Sequence, residues 1–140
     1  MITESQKRRL QKIIQKAASD EEVLAVFLYG SRIDGSQTET PESDLDICLV
    51  LQTGGRKVDP HGDAASFTRK RLSYLSAINP EKLDIQIFQQ LPIYVRKEVL
   101  AKGKLEYCRD KNTLYQMAYR TVQEYEDFAP RFREYLYKTL

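Results

Sequence analysis

Asp44, Asp46 and Asp84 are the residues whose types and spacing best suit chemistry. Asp44 and Asp46 stand two apart in Ser43-Asp44-Leu45-Asp46, and residues two apart on a strand project from one face, roughly 6 to 7 Å apart at the backbone. Two carboxylates so placed can converge on one ion. Magnesium takes oxygen ligands in near-octahedral geometry, usually one or two carboxylates plus phosphates and water, so the missing ligands would be triphosphate oxygens. Asp84 lies on a later predicted strand, also on a face turned from the main core, and lateral strand pairing would bring it beside the other two. A carboxylate trio of this kind can hold two metal ions roughly 4 Å apart and stabilise both oxygens of an in-line displacement. Asp84 could also take the proton of an acceptor hydroxyl.

Gly30-Ser31 ends an apolar segment. Glycine lets the backbone approach a phosphate closely, the serine hydroxyl can donate to it, and the amides that follow can open a helical turn. Arg32 could add a cation.

The elements that must position these residues follow from periodicity. Residues 3–18 place Leu10, Ile13, Ile14 and Ala17 on one side of an amphipathic helix. Residues 22–29 form a mostly apolar run with the length and the Val and Phe content of a buried strand, and residues 45–51 read as a second strand across a Gly-, Ser- and Thr-rich loop. After a glycine-containing loop, residues 63–77 read as a helix bearing the cluster Arg69-Lys70-Arg71. Residues 82–88 alternate Leu83, Ile85 and Ile87 against Asp84 and Gln86, the signature of a strand with one buried face. A helix over 92–102 has proline in its first turn and Gly103 as its stop, and a short strand follows near 105–108. From Asp110 a tyrosine-rich helix places Leu114, Ala118, Val122 and Tyr125 on one face, and Pro130 is expected to bend or divide it. The order predicts an α+β fold: a small mixed sheet, helices mainly on one face, and a long C-terminal helical tail. Residues 1–110 are read as the catalytic domain and 111–140 as a tail packed on it or on a partner.

Composition sets limits. A chain of 140 residues is one ordinary domain, and 41% apolar with 30% charged residues is a globular composition. The net charge of +2 supplies no field that argues for nucleic acid or an anionic membrane. No apolar run approaches the roughly 20 residues that span a bilayer, and the first ten residues lack a signal-type core, so a cytoplasmic location is expected. With one histidine, His61, and cysteines 48 and 108 far apart, a zinc site is not assembled.

Plainer readings stand beside the sharp ones. A lone Asp-x-Asp usually sits solvated at a strand end, but Gly-Ser after one strand, Asp-x-Asp opening the next and Asp84 on a third is a much rarer combination. Asp84 alone could simply face water on a half-exposed sheet. Arg69, Lys70 and Arg71 read as a solvent-facing run. The tail tyrosines Tyr115, Tyr119, Tyr125, Tyr135 and Tyr137 suit either core packing or a partner interface.

Gly-Ser, Asp-x-Asp and a third aspartate on a neighbouring strand resemble the pattern of the DNA polymerase β-like nucleotidyltransferases over residues 23–88. Within that superfamily, the short length and the C-terminal helix look like the minimal nucleotidyltransferases, particularly antitoxin-type members encoded beside HEPN-family RNase toxins. The resemblance implies that Gly30 and Ser31 hold the β- and γ-phosphates of ATP, that Asp44 and Asp46 ligate Mg2+, and that Asp84 completes the site and activates the acceptor. It further implies transfer of AMP to a tyrosine of a partner HEPN toxin. The twelve residues between Ser31 and Asp44 make a longer loop than the compact antitoxin motif carries. Two rivals remain open: a small-molecule nucleotidyltransferase of the aminoglycoside type, and a non-catalytic antitoxin that neutralises its partner by docking.

Overall fold

The computed structural model describes residues 3–30, 45–52, 64–78 and 83–139. Helix α1 (Glu4–Ala18) begins at Thr3, whose hydroxyl accepts the Gln6 amide while the Gln6 side chain accepts the Thr3 amide, a reciprocal cap that satisfies two otherwise unpaired donors. Its Leu10, Ile13 and Ala17 are buried and Ile14 packs beside them, as the sequence predicts. Strands β1 (Val23–Tyr29), β2 (Leu45–Leu51), β3 (Leu83–Ile87) and β4 (Lys104–Cys108) form one sheet in the order β3-β2-β1-β4. β2 runs parallel to β3, and β1 is antiparallel to both β2 and β4, so the sheet is mixed. The parallel step carries α2 (Ala64–Leu75) between its strands, since parallel neighbours require a crossover.

The α+β class, the mixed sheet and the long C-terminal helix match expectation, but the helices are not confined mainly to one face. On one side of the sheet, Leu10, Ile13 and Ala17 of α1 and Phe67 and Tyr74 of α2 pack against Val26, Leu28, Ile47, Leu49, Ile85 and Ile87. On the other, Val99 of α3 (Ile93–Lys102) and Leu114 of α4 (Lys111–Thr139) pack against Leu24, Phe27, Cys48 and Val50. The physical reason is in β1 and β2 themselves: strands apolar on successive residues must be covered on both faces. A bulge between Val23 and Ala25 adjusts the register of β1 and leaves Leu24 and Ala25 on the same side.

Gly103 closes α3 by donating its amide to the Val99 carbonyl at 2.8 Å. A Cβ there would clash with that same Val99 oxygen and press on Phe27 at 3.3 Å, so the turn out of α3 requires glycine. Arg96 then joins α3 to α4 by donating to the Leu91 carbonyl and to both carboxylate oxygens of Glu124. α4 is one helix with Pro130 inside it, so of the bend or division expected there, the division does not occur. Phe128 and Phe132 stack at 5.4 Å on either side of the proline, a contact one helical turn apart that spans the position where a backbone bond is lost.

Candidate active site

Strand register assembles the site. Asp46 of β2 is the pairing partner of Tyr29 on one side and of Asp84 on the other, which sets Tyr29, Asp46 and Asp84 in one row across three strands. Neighbouring strands lie about 4.8 Å apart, and directly paired residues project to the same face. Alternation fixes that face. Ile47, Ile85 and Leu28 point into the α1–α2 core, so Asp46, Asp84 and Tyr29 project to the side of α3 and α4. The expectation that strand pairing brings Asp84 beside Asp46, turned away from the α1–α2 core, is what the register shows, but that face carries a second core under α3 and α4.

Gly30 follows Tyr29 with φ of 134°, a backbone conformation that side chains other than hydrogen rarely allow. The chain thus leaves the end of β1, directly beside the carboxylate row, in a conformation reserved for glycine. Ser31, Arg32 and Asp44, the other candidates named from sequence, lie outside the described residues, as does His61.

Asp84 is held by three side-chain and backbone donors. Arg71 of α2 donates Nη2 to its Oδ1 at 2.9 Å, the Ile85 amide donates to the same oxygen at 2.9 Å, and Gln86 Nε2 donates to Oδ2. Arg71 also donates Nε to the Ile85 carbonyl at 2.6 Å. Its expected role as part of a solvent-facing basic run needs correction. Arg71 is bound to the edge strand, and Lys70 is mostly buried between Asp20 at 3.0 Å and Glu22 at 2.9 Å. The contact of Gln86 was legible, because a residue two positions from Asp84 shares its face. The contact of Arg71 was not, since no periodicity tells a helical arginine which strand edge it meets.

Tyr29 lends the row a neutral hydroxyl. Burial, and after it the nearby Asp46, Cys48 and Asp84, push its phenol well above the ordinary range. Burial and Asp46 push the Cys48 thiol up in the same way, which makes it an unreactive part of the sheet.

The donor set suits a hard cation. Asp46 and Asp84 offer carboxylate oxygens from adjacent strands without nitrogen or sulfur among them, the chemistry of magnesium rather than zinc. Among the described residues no group of three or more His, Cys, Asp or Glu side chains could enclose a metal by itself. A two-carboxylate site of this kind is completed by a ligand's oxygens, not by a protein cage.

Comparison with known proteins agrees with this geometry. The family described as polymerase beta, nucleotidyltransferase matches residues 11–112, which runs from within α1 through β4 and takes in every candidate site residue. A candidate protein adenylyltransferase of Methanocaldococcus jannaschii is 31% identical over 114 residues, covering 80% of this chain and 77% of that protein. Among solved structures, one of a toxin-antitoxin with AMP-PNP superposes with a TM-score of 0.64 at 15% identity, covering 95% of this chain and 97% of the matched chain. Another, of tri-AMPylated Shewanella oneidensis HEPN toxin in complex with MNT antitoxin, superposes with a TM-score of 0.61 at 14% identity over 95% and 94% of the two chains. At such identities the structural likeness is one of fold. The extent of the family match carries the assignment: this chain belongs to the polymerase β nucleotidyltransferase family and is a nucleotidyltransferase.

Proposed function

We propose that this nucleotidyltransferase is a magnesium-dependent protein adenylyltransferase that moves AMP from ATP onto a tyrosine hydroxyl of a HEPN-family RNase toxin and so acts as its antitoxin. The observation that carries the reading is the in-register pairing of Asp46 with Asp84 beside the positive-φ Gly30, on a scaffold of this family. The acceptor class is supported by the relative described as a candidate protein adenylyltransferase, and by the fold shared with structures that hold AMP-PNP or an AMPylated HEPN toxin.

In this reading Gly30, Ser31 and Arg32 hold the triphosphate, the glycine by close backbone approach, the serine by its hydroxyl and the arginine by its charge. Asp44, Asp46 and Asp84 hold Mg2+, which when bound neutralises charge developing on the phosphate oxygens. Asp84 accepts the proton of the tyrosine hydroxyl as its oxygen bonds to the α-phosphorus of ATP. The bond from the α-phosphorus to the bridging oxygen breaks, and pyrophosphate leaves with that oxygen. The row of Tyr29, Asp46 and Asp84 orients these groups before the substrates meet, so that little reorganisation accompanies transfer.

The test incubates the protein with magnesium, α-labelled ATP and a HEPN-family RNase, taken from the product of the adjacent gene, then follows the label by gel and intact mass. Wild type should label the RNase in increments of AMP. Asp46→Asn should lower the rate by about a hundredfold or more, the effect of losing several kcal/mol of charge stabilisation. A stable complex with no label from any NTP would replace this reading with neutralisation by docking, and label on an aminoglycoside but not on the RNase would replace it with the small-molecule activity.

A further inference from the structure

The side chain of Asp84 is clamped from outside the sheet. Arg71 reaches from α2 to β3 and binds it at two consecutive residues, donating Nε to the Ile85 carbonyl and Nη2 to Asp84 Oδ1. β3 pairs only with β2 among the described strands, so its other edge is the side open to such an approach. A planar guanidinium can serve a backbone carbonyl and a neighbouring carboxylate at once, whereas an ammonium is a point charge without that fixed fork. With the Ile85 amide also on Oδ1 and Gln86 on Oδ2, the carboxylate has donors on both oxygens, and the capacity left for a further ligand or proton lies on Oδ2.

We propose that Arg71 is a positioning residue for nucleotidyl transfer: its two-point clamp fixes the orientation of Asp84, saturates Oδ1 and reserves Oδ2 for the reaction. The inference rests on the reading of Asp84 as a working carboxylate. It assigns no contact between Arg71 and the nucleotide, so its loss alters turnover and leaves ATP binding in place. The clamp also gives α2 a role in catalysis, because the helix that crosses between β2 and β3 sets the aim of a side chain on β3.

The experiment measures transfer to the HEPN-family RNase by wild type, Arg71→Ala, Arg71→Lys and Asp84→Asn, with thermal unfolding of each. Both Arg71 variants should lower kcat by about tenfold to a hundredfold, the scale of a small misplacement of a reacting group. KM for ATP should stay within about twofold, as expected when ground-state binding is untouched. Arg71→Lys should keep a near-wild-type Tm and still fail to restore kcat. Wild-type kcat in Arg71→Lys, or a loss of rate that only follows a lowered Tm, would overturn the clamp while leaving the proposed function intact. Failure of the wild type to transfer any nucleotide, or full activity in Asp84→Asn, would overturn the reading of Asp84 and the clamp with it.

Discussion

At the scale of single residues, the site is a matter of which atoms can approach which. Gly30 is the sharpest case, since its φ of 134° is inaccessible to other residues without strain of about 1 to 3 kcal/mol. Gly30→Ala should therefore lower stability by an amount in that range. On the proposed reading of Gly30 as a phosphate-binding residue, it should also raise KM for ATP several-fold, because relaxing the strain moves the backbone that approaches the triphosphate. Chemical denaturation and ATP titration check the two parts separately, and an alanine variant with unchanged KM would remove Gly30 from phosphate binding. The residues of this row were legible to different degrees. Asp46, Asp84 and Gln86 announce themselves by alternation, because two-residue spacing on a strand fixes the face. Tyr29 carried a weaker signal, since an aromatic at the end of an apolar run reads as core until the register shows that its partner is Asp46.

At the scale of elements, Arg109 shows how one side chain joins segments distant in sequence. It follows β4, donates Nε to the Val23 carbonyl at 3.1 Å, and brings Nη2 within 3.1 Å of the Ala17, Ala18 and Asp20 carbonyl oxygens. These include the last carbonyls of α1, which have no partner inside the helix and sit at its negative end, where a cation is favourable. Its ring-facing neighbour Tyr107 lies 5.9 Å away. Arg109→Ala should lower stability by about 1 to 3 kcal/mol, the scale of losing hydrogen bonds from a charged donor, since the Ala17 and Asp20 carbonyls keep the Asp20 and Val23 amides as partners. Hydrogen exchange should then increase first at the C-terminal turn of α1, and uniform exchange throughout the chain would contradict a local capping role. The strands and helices were legible because hydrophobic period decides them, and the bounds of β2 agree with the sequence reading residue for residue. The two-sided cover of the sheet was also written there, in the apolar run of β1 and in Ile47 to Leu51 of β2. The alternation of β3 drew attention to one buried face instead. The continuity of α4 through Pro130 was not legible, because whether a helix survives a proline depends on packing around it. The partition of the tail tyrosines depended on tertiary contacts as well: Tyr125 lies under Lys97, whereas Tyr115, Tyr119, Tyr135 and Tyr137 are exposed.

At the scale of the molecule, α2 is attached by charge as much as by apolar contact. Phe67 and Tyr74 are its buried anchors, while Lys70 bridges Asp20 and Glu22 and the Tyr74 hydroxyl donates to Asp20 at 2.9 Å. Asp20 thus joins the turn between α1 and β1 to the helix that carries Arg71. Burial alone would raise its pKa, but the bonds from Lys70, Tyr74 and the Glu22 amide outweigh it and hold the carboxyl below the usual range. A carboxyl depressed in the folded state stabilises the fold fully above its unfolded value of about 4, and that contribution is lost as pH falls through the lower folded value. Asp110, depressed by bonds from Thr113 at the start of α4, acts in the same direction. Stability should therefore decline below about pH 4. Asp20→Asn should cost about 1 to 2 kcal/mol at pH 7, a few degrees in Tm, and the gap from wild type should narrow as the pH is lowered toward 3. Thermal unfolding of both proteins across that range is the measurement, and a gap that stays constant with pH would show that Asp20 acts through its shape and not its charge. Because the same helix holds Asp84 through Arg71, the acid conditions that loosen α2 should also release the clamp. Amide exchange in α2 and β3 should then rise together in wild type at low pH, and in Asp20→Asn that joint rise should already be present at neutral pH.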